Sequence, residues 1–186
     1  NPVAKEAAKK AIADELAKKE EAINGRTDLT DEEKAAAKKD AQDKAKEATD
    51  AINAQPGNAA TPEEAEKAQT AVNGAKDKGV ADVTAVNPVA AKKSAAKADV
   101  ETARKAKEDA IKANPNLTQA EKDAAIAKNN TAAEEATKAI DSATTNDAVD
   151  KAKEAGTGEI AKVNPVAKEA AKKAIADELA KKEEAI

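Results

Sequence analysis

The 186-residue sequence contains no histidine, cysteine, methionine, tryptophan, tyrosine or phenylalanine. Without cysteine or histidine it can form no disulfide, and it offers no thiol nucleophile, no imidazole base and no zinc site of the usual ligand set. Without aromatic side chains it has no platform on which bases can stack, and its formal net charge of -4 does not attract phosphate backbones. We therefore expect no enzymatic activity, no cofactor and no nucleic-acid partner.

Large apolar side chains are also scarce. Hydrophobic residues make up 40% of the chain, but most are alanine, and Val, Ile and Leu together number only 23. No apolar run approaches the roughly 18 residues that indicate a membrane helix, so we expect no membrane partner. The first residue is not methionine and no signal-peptide pattern follows, which predicts an excised segment of a longer protein.

Alanine, lysine, glutamate and glutamine dominate the stretches between turn residues, and these are strong helix formers. One stretch of 23 residues occurs twice without a change, as Asn1 to Ile23 and as Asn164 to Ile186. A looser copy runs from Asn87 to Ile111. The sequence therefore predicts an all-α tandem array with a first three-helix repeat at 1–86, a second at 87–163, and the first helix of a third at 164–186.

Turn and capping residues set the predicted helix limits. The Asn-Pro pairs at Asn1, Asn87 and Asn164 predict helix starts, because Asn suits the N-cap and Pro the first helical position. Gly25 is expected to end the first helix in a left-handed conformation. Thr30 with Glu33, and Thr118 with Glu121, form the capping-box pattern that begins the second helix of each repeat. Thr61-Pro62-Glu63-Glu64 predicts a further capping box at the start of the third helix of the first repeat.

Apolar and small residues at helical spacing define the predicted buried faces. In the first repeat they are Ala8, Ile12, Leu16 and Ile23, then Ala37, Ala41, Ala45, Ala48 and Ile52, then Ala65, Ala68, Val72, Gly79, Val83 and Val86. In the second repeat they are Val100, Ala103 and Ile111, then Ala125, Ala133 and Ala136, then Val149, Ala152, Gly156, Ile160 and Val163. The repeats agree element by element, with small residues that allow close helix approach.

The two glycines within the third helices have two interpretations. Gly79 and Gly156 continue the apolar stripe, which indicates close packing, whereas a hinge or helix break is the other reading. Leu29 and Leu117 are 88 positions apart, but Gly79 and Gly156 only 77. The first repeat therefore carries an 11-residue insertion after its second helix, which predicts a longer third helix or a larger loop.

Several pairs of charged residues could form a binding or catalytic site, but we assign them to solvated helix surfaces. Acidic pairs could bind a hard cation or act in acid/base chemistry, and lysine pairs could seat an anionic polymer. These pairs are Glu32/Glu33, Glu63/Glu64, Glu134/Glu135, Lys9/Lys10, Lys18/Lys19 and Lys38/Lys39. On the first helix, the spacing instead favours the ion pairs Glu6/Lys10, Asp14/Lys18 and Glu15/Lys19. Asn129-Asn130-Thr131 is a glycosylation sequon by chance, and no residue is predicted to be catalytic, cofactor-binding or metal-binding.

Since each third helix is followed directly by an Asn-Pro pair, the sequence predicts repeats that follow one another without a flexible linker. We expect a monomer in which each repeat packs on its neighbours in the same chain, stacked end to end into an elongated rod.

Each repeat carries a set of short motifs at matching places. In the first repeat they are Ala22-Ile23, Asp28-Leu29-Thr30, Glu33-Lys34, Ala51-Ile52, Gly79, Val83 and Val86-Asn87-Pro88. In the second they are Ala110-Ile111, Asn114-Pro115-Asn116-Leu117-Thr118, Glu121-Lys122, Ala139-Ile140, Val149, Gly156, Ile160 and Val163-Asn164-Pro165. This pattern resembles the helical repeats known as domain of unknown function fifteen forty-two, found in arrays in Gram-positive surface proteins.

The resemblance implies a stalk segment of a cell-wall-anchored bacterial adhesin, outside the cell, with the ligand-binding head, its host partner and the anchor in other parts of the protein. Two alternatives stay open. One is a helical binding module for a host plasma or matrix protein, although such modules usually expose aromatic or bulky apolar residues. The other is a disordered stress-protective protein, against which the matching capping boxes of the two repeats argue.

Overall fold

The structure is a computed structural model that describes all 186 residues and contains seven α-helices and no strand. The helices are α1 (Pro2–Asn24), α2 (Asp31–Asn53), α3 (Pro62–Thr84), α4 (Ala91–Ala113), α5 (Gln119–Ser142), α6 (Asn146–Ala161) and α7 (Glu169–Ala185). The predicted all-α class is confirmed. The chain divides into two compact units, Asn1–Ala91 and Lys92–Ile186; the finer division at residues 86 and 163 stays a prediction.

The first unit is a three-helix bundle of α1, α2 and α3 with a core of small and branched side chains. The face predicted for α2 is confirmed at all five positions, and on α1 only Leu16 is half-buried instead of buried. On α3 the prediction was wrong for Ala65, which is exposed. One cluster contains Ala8, Ile12, Ala45, Ala48, Ile52, Val72 and Val83, and a second contains Ile23, Leu29, Ala37, Ala41 and Val86.

The second unit repeats this core in α4, α5 and α6. Its main cluster contains Ala96, Val100, Ala133, Ala136, Ile140, Val149 and Ile160, and a smaller one contains Ile111, Leu117 and Ala125. Ala103, Ala152 and Val163, all predicted to be buried, are only half-buried. Val100, Ala136 and Gly156 take the places that Ile12, Ala48 and Gly79 hold in the first unit, so the two bundles share one packing scheme.

A buried asparagine distinguishes the second core. Asn129 stands 88 positions after Ala41 and, like it, is fully buried. Its side-chain amide donates to the backbone oxygen of Arg104 at 2.8 Å, while its own Oδ1 has no hydrogen-bond partner. The Asn129 side chain, which glycosylation of this sequon would modify, is therefore inaccessible from the surface. The 88-residue period could have shown that this position is a core position.

The predicted helix starts at the internal Asn-Pro pairs were wrong. Helix α1 does begin at Pro2, with the Asn1 side chain accepting from the backbone of Val3. Helices α4 and α7, however, begin only at Ala91 and Glu169, so residues 86–90 and 163–166 are not helical. Proline disfavours a helical conformation in the residue before it, and side chains from neighbouring helices then hold the backbone that follows.

The prediction of a left-handed glycine at the end of α1 was also wrong. Gly25 has φ -77° and ψ -8°, which are right-handed values, and no glycine in the chain has a positive φ. The last carbonyl groups of a helix have no partner within the helix and must find one elsewhere. In this chain lysine side chains donate to these carbonyl groups.

The insertion in the first repeat is divided between a helix and a loop. Helix α3 has 23 residues and α6 has 16, and the α2–α3 connection, residues 54–61, is longer than the α5–α6 connection, residues 143–145. The predicted capping box at Thr61 is incomplete. Thr61 accepts from the backbone of Glu64 at 3.2 Å, but the Glu64 carboxylate accepts from Ala60 and not from Thr61.

Both third helices run without interruption through their buried glycines, so close packing is confirmed and the hinge interpretation was wrong. A Cβ atom at Gly79 would lie 2.3 Å from the Cβ of Ala48 and 3.2 Å from Cδ1 of Ile12. At Gly156 the distance to the Cβ of Ala136 would again be 2.3 Å. Only glycine lets the two helices approach this closely.

We predict that Gly79→Ala destabilises the first unit although alanine is the better helix former. The added methyl forces α2 and α3 apart, and overpacking of this kind lowers the free energy of unfolding by about 1–3 kcal/mol. Gly74→Ala is the matched control, because nothing lies within 4 Å of its Cβ position on the same helix. It should raise the free energy of unfolding by about 0.5–1 kcal/mol in urea titrations followed by circular dichroism. Equal effects of the two substitutions would contradict this packing.

Candidate functional site at the helix ends

Each repeat has three lysines, at matching positions, whose side chains cap the C-terminal ends of helices other than their own. The first pair caps α1 and α4: Lys34 Nζ donates to the backbone oxygen of Asn24 at 3.0 Å, and Lys122 Nζ to that of Lys112 at 2.9 Å. These lysines stand 88 positions apart in the sequence. An ammonium group at this place meets unpaired carbonyls and the negative end of the helix dipole.

The second pair caps α2 and α5. Lys5 Nζ donates to the backbone oxygens of Asn53, at 3.3 Å, and of Gln55. Its counterpart Lys93 donates to the oxygen of Asp141 at 2.7 Å and is itself buried. Burial of a lysine is tolerated here because the helix end supplies acceptors for its charge.

The third pair caps α3 and α6. Lys19 Nζ donates to the backbone oxygens of Thr84 and Val86, both at 2.8 Å, and Lys107 Nζ donates to that of Ala161 at 3.3 Å. The three ion pairs predicted on α1, Glu6/Lys10, Asp14/Lys18 and Glu15/Lys19, were wrong: Glu6 pairs with Lys9 at 2.6 Å and Asp14 with Lys10 at 2.7 Å. The Glu15 carboxylate instead lies 3.6 Å from Lys18 and accepts from the hydroxyl of Thr84 at 2.9 Å.

One carboxylate in each repeat caps two helices. We call the non-helical residues 85–90 and 162–168 the seam segments, since each joins the third helix of one repeat to the helix that follows. Glu33 accepts from the backbone N–H of Thr30 and, with its other oxygen, from that of Ala91, both at 3.0 Å. Glu121 accepts from Thr118 at 2.9 Å, from Lys168 at 2.8 Å and from Glu169 at 3.0 Å. The capping boxes predicted at Thr30 and Thr118 are thus confirmed. In each, the glutamate also accepts a hydrogen bond from the start of the helix that follows the seam segment.

Further contacts hold the seam segments in place. Arg26 donates to the backbone oxygen of Pro88 at 3.0 Å and forms an ion pair with Asp28 at 2.8 Å. Val86 is buried against Ile23 and Leu29. In the second unit, Val163 and Ala167 pack on the cluster of Ile111, Leu117 and Ala125.

Lys168, in the second seam segment, has an unusual backbone conformation. It is the only non-glycine residue with a positive φ, at 53°. A left-handed conformation costs an ordinary residue roughly 1–2 kcal/mol. The Glu121 carboxylate accepts from the N–H groups of Lys168 and the next residue, which offsets that cost. Lys5, in the identical sequence at the start of the chain, is helical.

The Glu121 carboxylate is correspondingly acidic. Backbone hydrogen bonds from Thr118, Glu169 and Lys168 lower its pKa from 4.5 to about 2. Because the pKa is lower in the folded state, the ionised carboxylate stabilises the fold at pH values above about 4.5. That contribution disappears as the pH falls through about 2.

The charged pairs singled out in the sequence do not converge on a site. Lys10 and Lys39 form ion pairs of 2.7 Å with acids of their own helices, Asp14 and Asp43. No group of three or more acidic side chains is placed so that it could hold a metal ion. Among the acids assigned to the surface, Glu33 is the exception, because its carboxylate accepts a hydrogen bond from the backbone N–H of Ala91. Sequence reasoning missed this role and the lysine caps, although the recurrence of these residues at a spacing of 88 is a signal for both.

Two bundles with matching cores, caps and seam segments define a tandem helical repeat protein. The chain belongs to the family described as Domain of Unknown Function (DUF1542), whose model matches residues 4–60 and 92–168. The matched residues make up well over half of the chain, and the predicted family is confirmed. Comparison with curated proteins and with solved structures finds no match. None of the seven helices has the length and apolar character of a membrane span.

We predict that acidification releases the start of α7. Protonation of Glu121 removes the acceptor for Lys168 and Glu169, so their amide signals should shift with a midpoint near pH 2 in an NMR titration. Glu121→Gln should abolish that transition and leave the two amides in their acid-state positions at neutral pH. The control Glu134→Gln changes an exposed carboxylate on the same helix and should leave the titration as it is. Amide signals that stay constant down to pH 2 would be evidence against the shared cap.

We also predict that Lys19→Met lowers the free energy of unfolding of the first unit by about 1 kcal/mol, since two carbonyls at the end of α3 lose a charged donor at a half-exposed position. Lys18→Met is the matched control on the same helix, because Lys18 is exposed and makes only a long ion pair. It should change stability by less than about 0.5 kcal/mol in the same urea titration. A Lys18 effect as large as that of Lys19 would refute the capping role.

Proposed function

We propose that the chain is a structural stalk or spacer segment of a bacterial cell-surface adhesin. It has no enzymatic activity, and it projects a ligand-binding head from the cell wall, to which the parent protein is anchored by regions outside this segment. Its family membership supports a repeat region of a surface protein. The absence of His and Cys supports a mechanical rather than a chemical role.

The observation that carries the proposal is the density of contacts on the seam segments. In residues 85–91, backbone groups are bound by Lys19 near the start, by Arg26 in the middle and by Glu33 at the first residue of α4. A spacer works only if the joints between its repeats resist bending, because a flexible chain of the same length reaches a much shorter distance. These bonds support the proposal that the joints between repeats are stiff.

The lack of aromatic side chains also fits a spacer. Hot spots of protein interfaces are enriched in Trp, Tyr and Arg, and this chain has no Trp or Tyr. Helix-rich repeats stabilised by caps and small-residue contacts need no disulfides, which suits a protein exposed outside the cell. The head and the wall anchor lie in other parts of the parent protein.

Small-angle X-ray scattering on the whole chain tests the spacer role. A helix of 22 residues is about 33 Å long, so repeats stacked end to end should give a maximum dimension on the order of 100 Å. The triple variant Lys19→Met, Arg26→Gln, Glu33→Gln removes the ties of the first seam and should broaden the distance distribution. The control Glu63→Gln should leave it unchanged. A compact particle, or a wild-type chain as broadly distributed as the variant, would refute the proposal.

Two further measurements separate the alternatives. Thermal melting followed by circular dichroism should show a cooperative transition, whereas a helical signal without one would favour a disordered protective protein. Pull-down from host plasma should recover no partner that binds saturably at nanomolar concentration. Recovery of such a partner would favour the binding-module function over the spacer.

A further inference from the structure

An asparagine followed by a glycine lies at the end of the first helix. Asn24 is the last residue of α1, Gly25 follows it, and both are exposed. In such a pair the asparagine side chain is open to attack by the next backbone nitrogen, because glycine has no Cβ to obstruct the approach. The matching positions of the second repeat hold Lys112 and Ala113, so only the first repeat has this pair.

The folded helix opposes an attack by the Gly25 nitrogen. Its N–H donates to the backbone oxygen of Glu21 at 3.0 Å, so the nitrogen is engaged while the last turn of α1 is intact. The reaction therefore requires that turn to open. Helix ends open at a small free-energy cost, whereas a helix interior opens only together with much of the structure around it.

The Lys34 side chain holds this turn closed. Its Nζ reaches from α2 and donates to the backbone oxygen of Asn24 at 3.0 Å. This bond ties the last residue of α1 to a different helix and satisfies a terminal carbonyl group. Opening of the last turn breaks the bond, so removal of the lysine makes the open state more frequent.

We propose that Asn24 is a site of spontaneous deamidation and that the Lys34 cap sets the rate of the reaction. The reactants are the two residues of the pair, hydroxide and water, and no other reagent is needed. The proposal goes beyond the spacer function and does not depend on it.

The reaction passes through a cyclic imide. In the open turn, the Gly25 nitrogen loses its proton to hydroxide and forms a bond to Cγ of Asn24. The bond between Cγ and the side-chain nitrogen breaks, and this nitrogen takes a proton from water and leaves as ammonia. Water then adds to either carbonyl of the imide and breaks the bond from that carbonyl to the Gly25 nitrogen. The products are aspartate or isoaspartate, and no group is oxidised or reduced.

Either product alters the end of α1 next to the first seam segment. Aspartate adds a negative charge at the negative end of the helix dipole. Isoaspartate adds a methylene group to the main chain ahead of Arg26, whose side chain donates to the backbone oxygen of Pro88 at 3.0 Å. The modification therefore changes the contacts of one seam segment and not of the other.

A second asparagine–glycine pair provides the comparison within the same chain. Asn73 and Gly74 are also exposed, but they lie in the middle of α3, and Asn73 accepts from the Gln69 side chain at 3.0 Å. During incubation of the full chain at neutral pH, we expect Asn24 to convert at least about tenfold faster than Asn73, because a helix end opens more often. Peptide mapping by mass spectrometry measures both conversions in one sample.

A lysine substitution tests the role of the cap. Lys34→Met should raise the rate at Asn24 about fivefold and leave that at Asn73 unchanged, since it frees one helix end and not the whole unit. Lys39→Met is the matched control on the same helix, because Lys39 is exposed and pairs with an acid of its own helix. It should leave both rates unchanged.

A glycine substitution tests the chemistry. Gly25→Ala gives the attacking residue a Cβ and should lower the rate at Asn24 at least about tenfold. The fold accepts this change, because the nearest atom to the new Cβ would be the backbone oxygen of Glu21 at 3.5 Å and the backbone of Gly25 is right-handed.

Each contrary result overturns a stated part of the proposal. No conversion at Asn24, or equal rates at Asn24 and Asn73, would remove the site. An unchanged rate in Lys34→Met, or an increase at both asparagines, would refute control by the cap. A Gly25→Ala chain that converts as fast as the wild type would refute the imide. None of these results bears on the scattering test of the spacer function.

Discussion

The contact of Ala48 with Gly79, and its counterpart of Ala136 with Gly156, is the constraint on which both bundles depend. With only 23 Val, Ile and Leu residues in the chain, burial of large side chains cannot hold three helices together. Close approach of helix backbones compensates, since dispersion contacts accumulate when two helices meet at small residues. Ile12 and Val100 pack beside this contact in the two cores.

The capping of the helix ends is also linked to the scarcity of large apolar side chains. A bundle with few apolar contacts gains relatively more from the pairing of its terminal carbonyl and N–H groups. Lysines from neighbouring helices cap the C-terminal ends of all six helices of the two bundles, and one glutamate per repeat caps the start of the helix beyond the seam segment. These bonds cross between helices, so each fixes the arrangement of helices as well as satisfying a polar group.

Sequence reasoning predicted what depends on local pattern. The stripe Ala37, Ala41, Ala45, Ala48 and Ile52 could be predicted because helical spacing alone decides which residues share a face. The boxes at Thr30 and Thr118 could be predicted because their partners lie three residues away. The roles of Lys19 and Glu33 could not, since their partners are 65 and 58 residues distant and only the folded bundle brings them together. The start of α4 was misjudged for the same reason: Asn87-Pro88 permits a helix start, but a glutamate from another helix selects a later one.

The first residues of the duplicated sequence adopt two conformations, helical at residues 2–5 and non-helical at residues 165–168. A residue advances about 1.5 Å along a helix and up to about 3.4 Å in an extended chain. The two conformations therefore differ by up to about 8 Å in contour length over these four residues. Glu121 holds the longer form, so the path of the duplicated sequence is set by a glutamate of a neighbouring helix and not by that sequence alone.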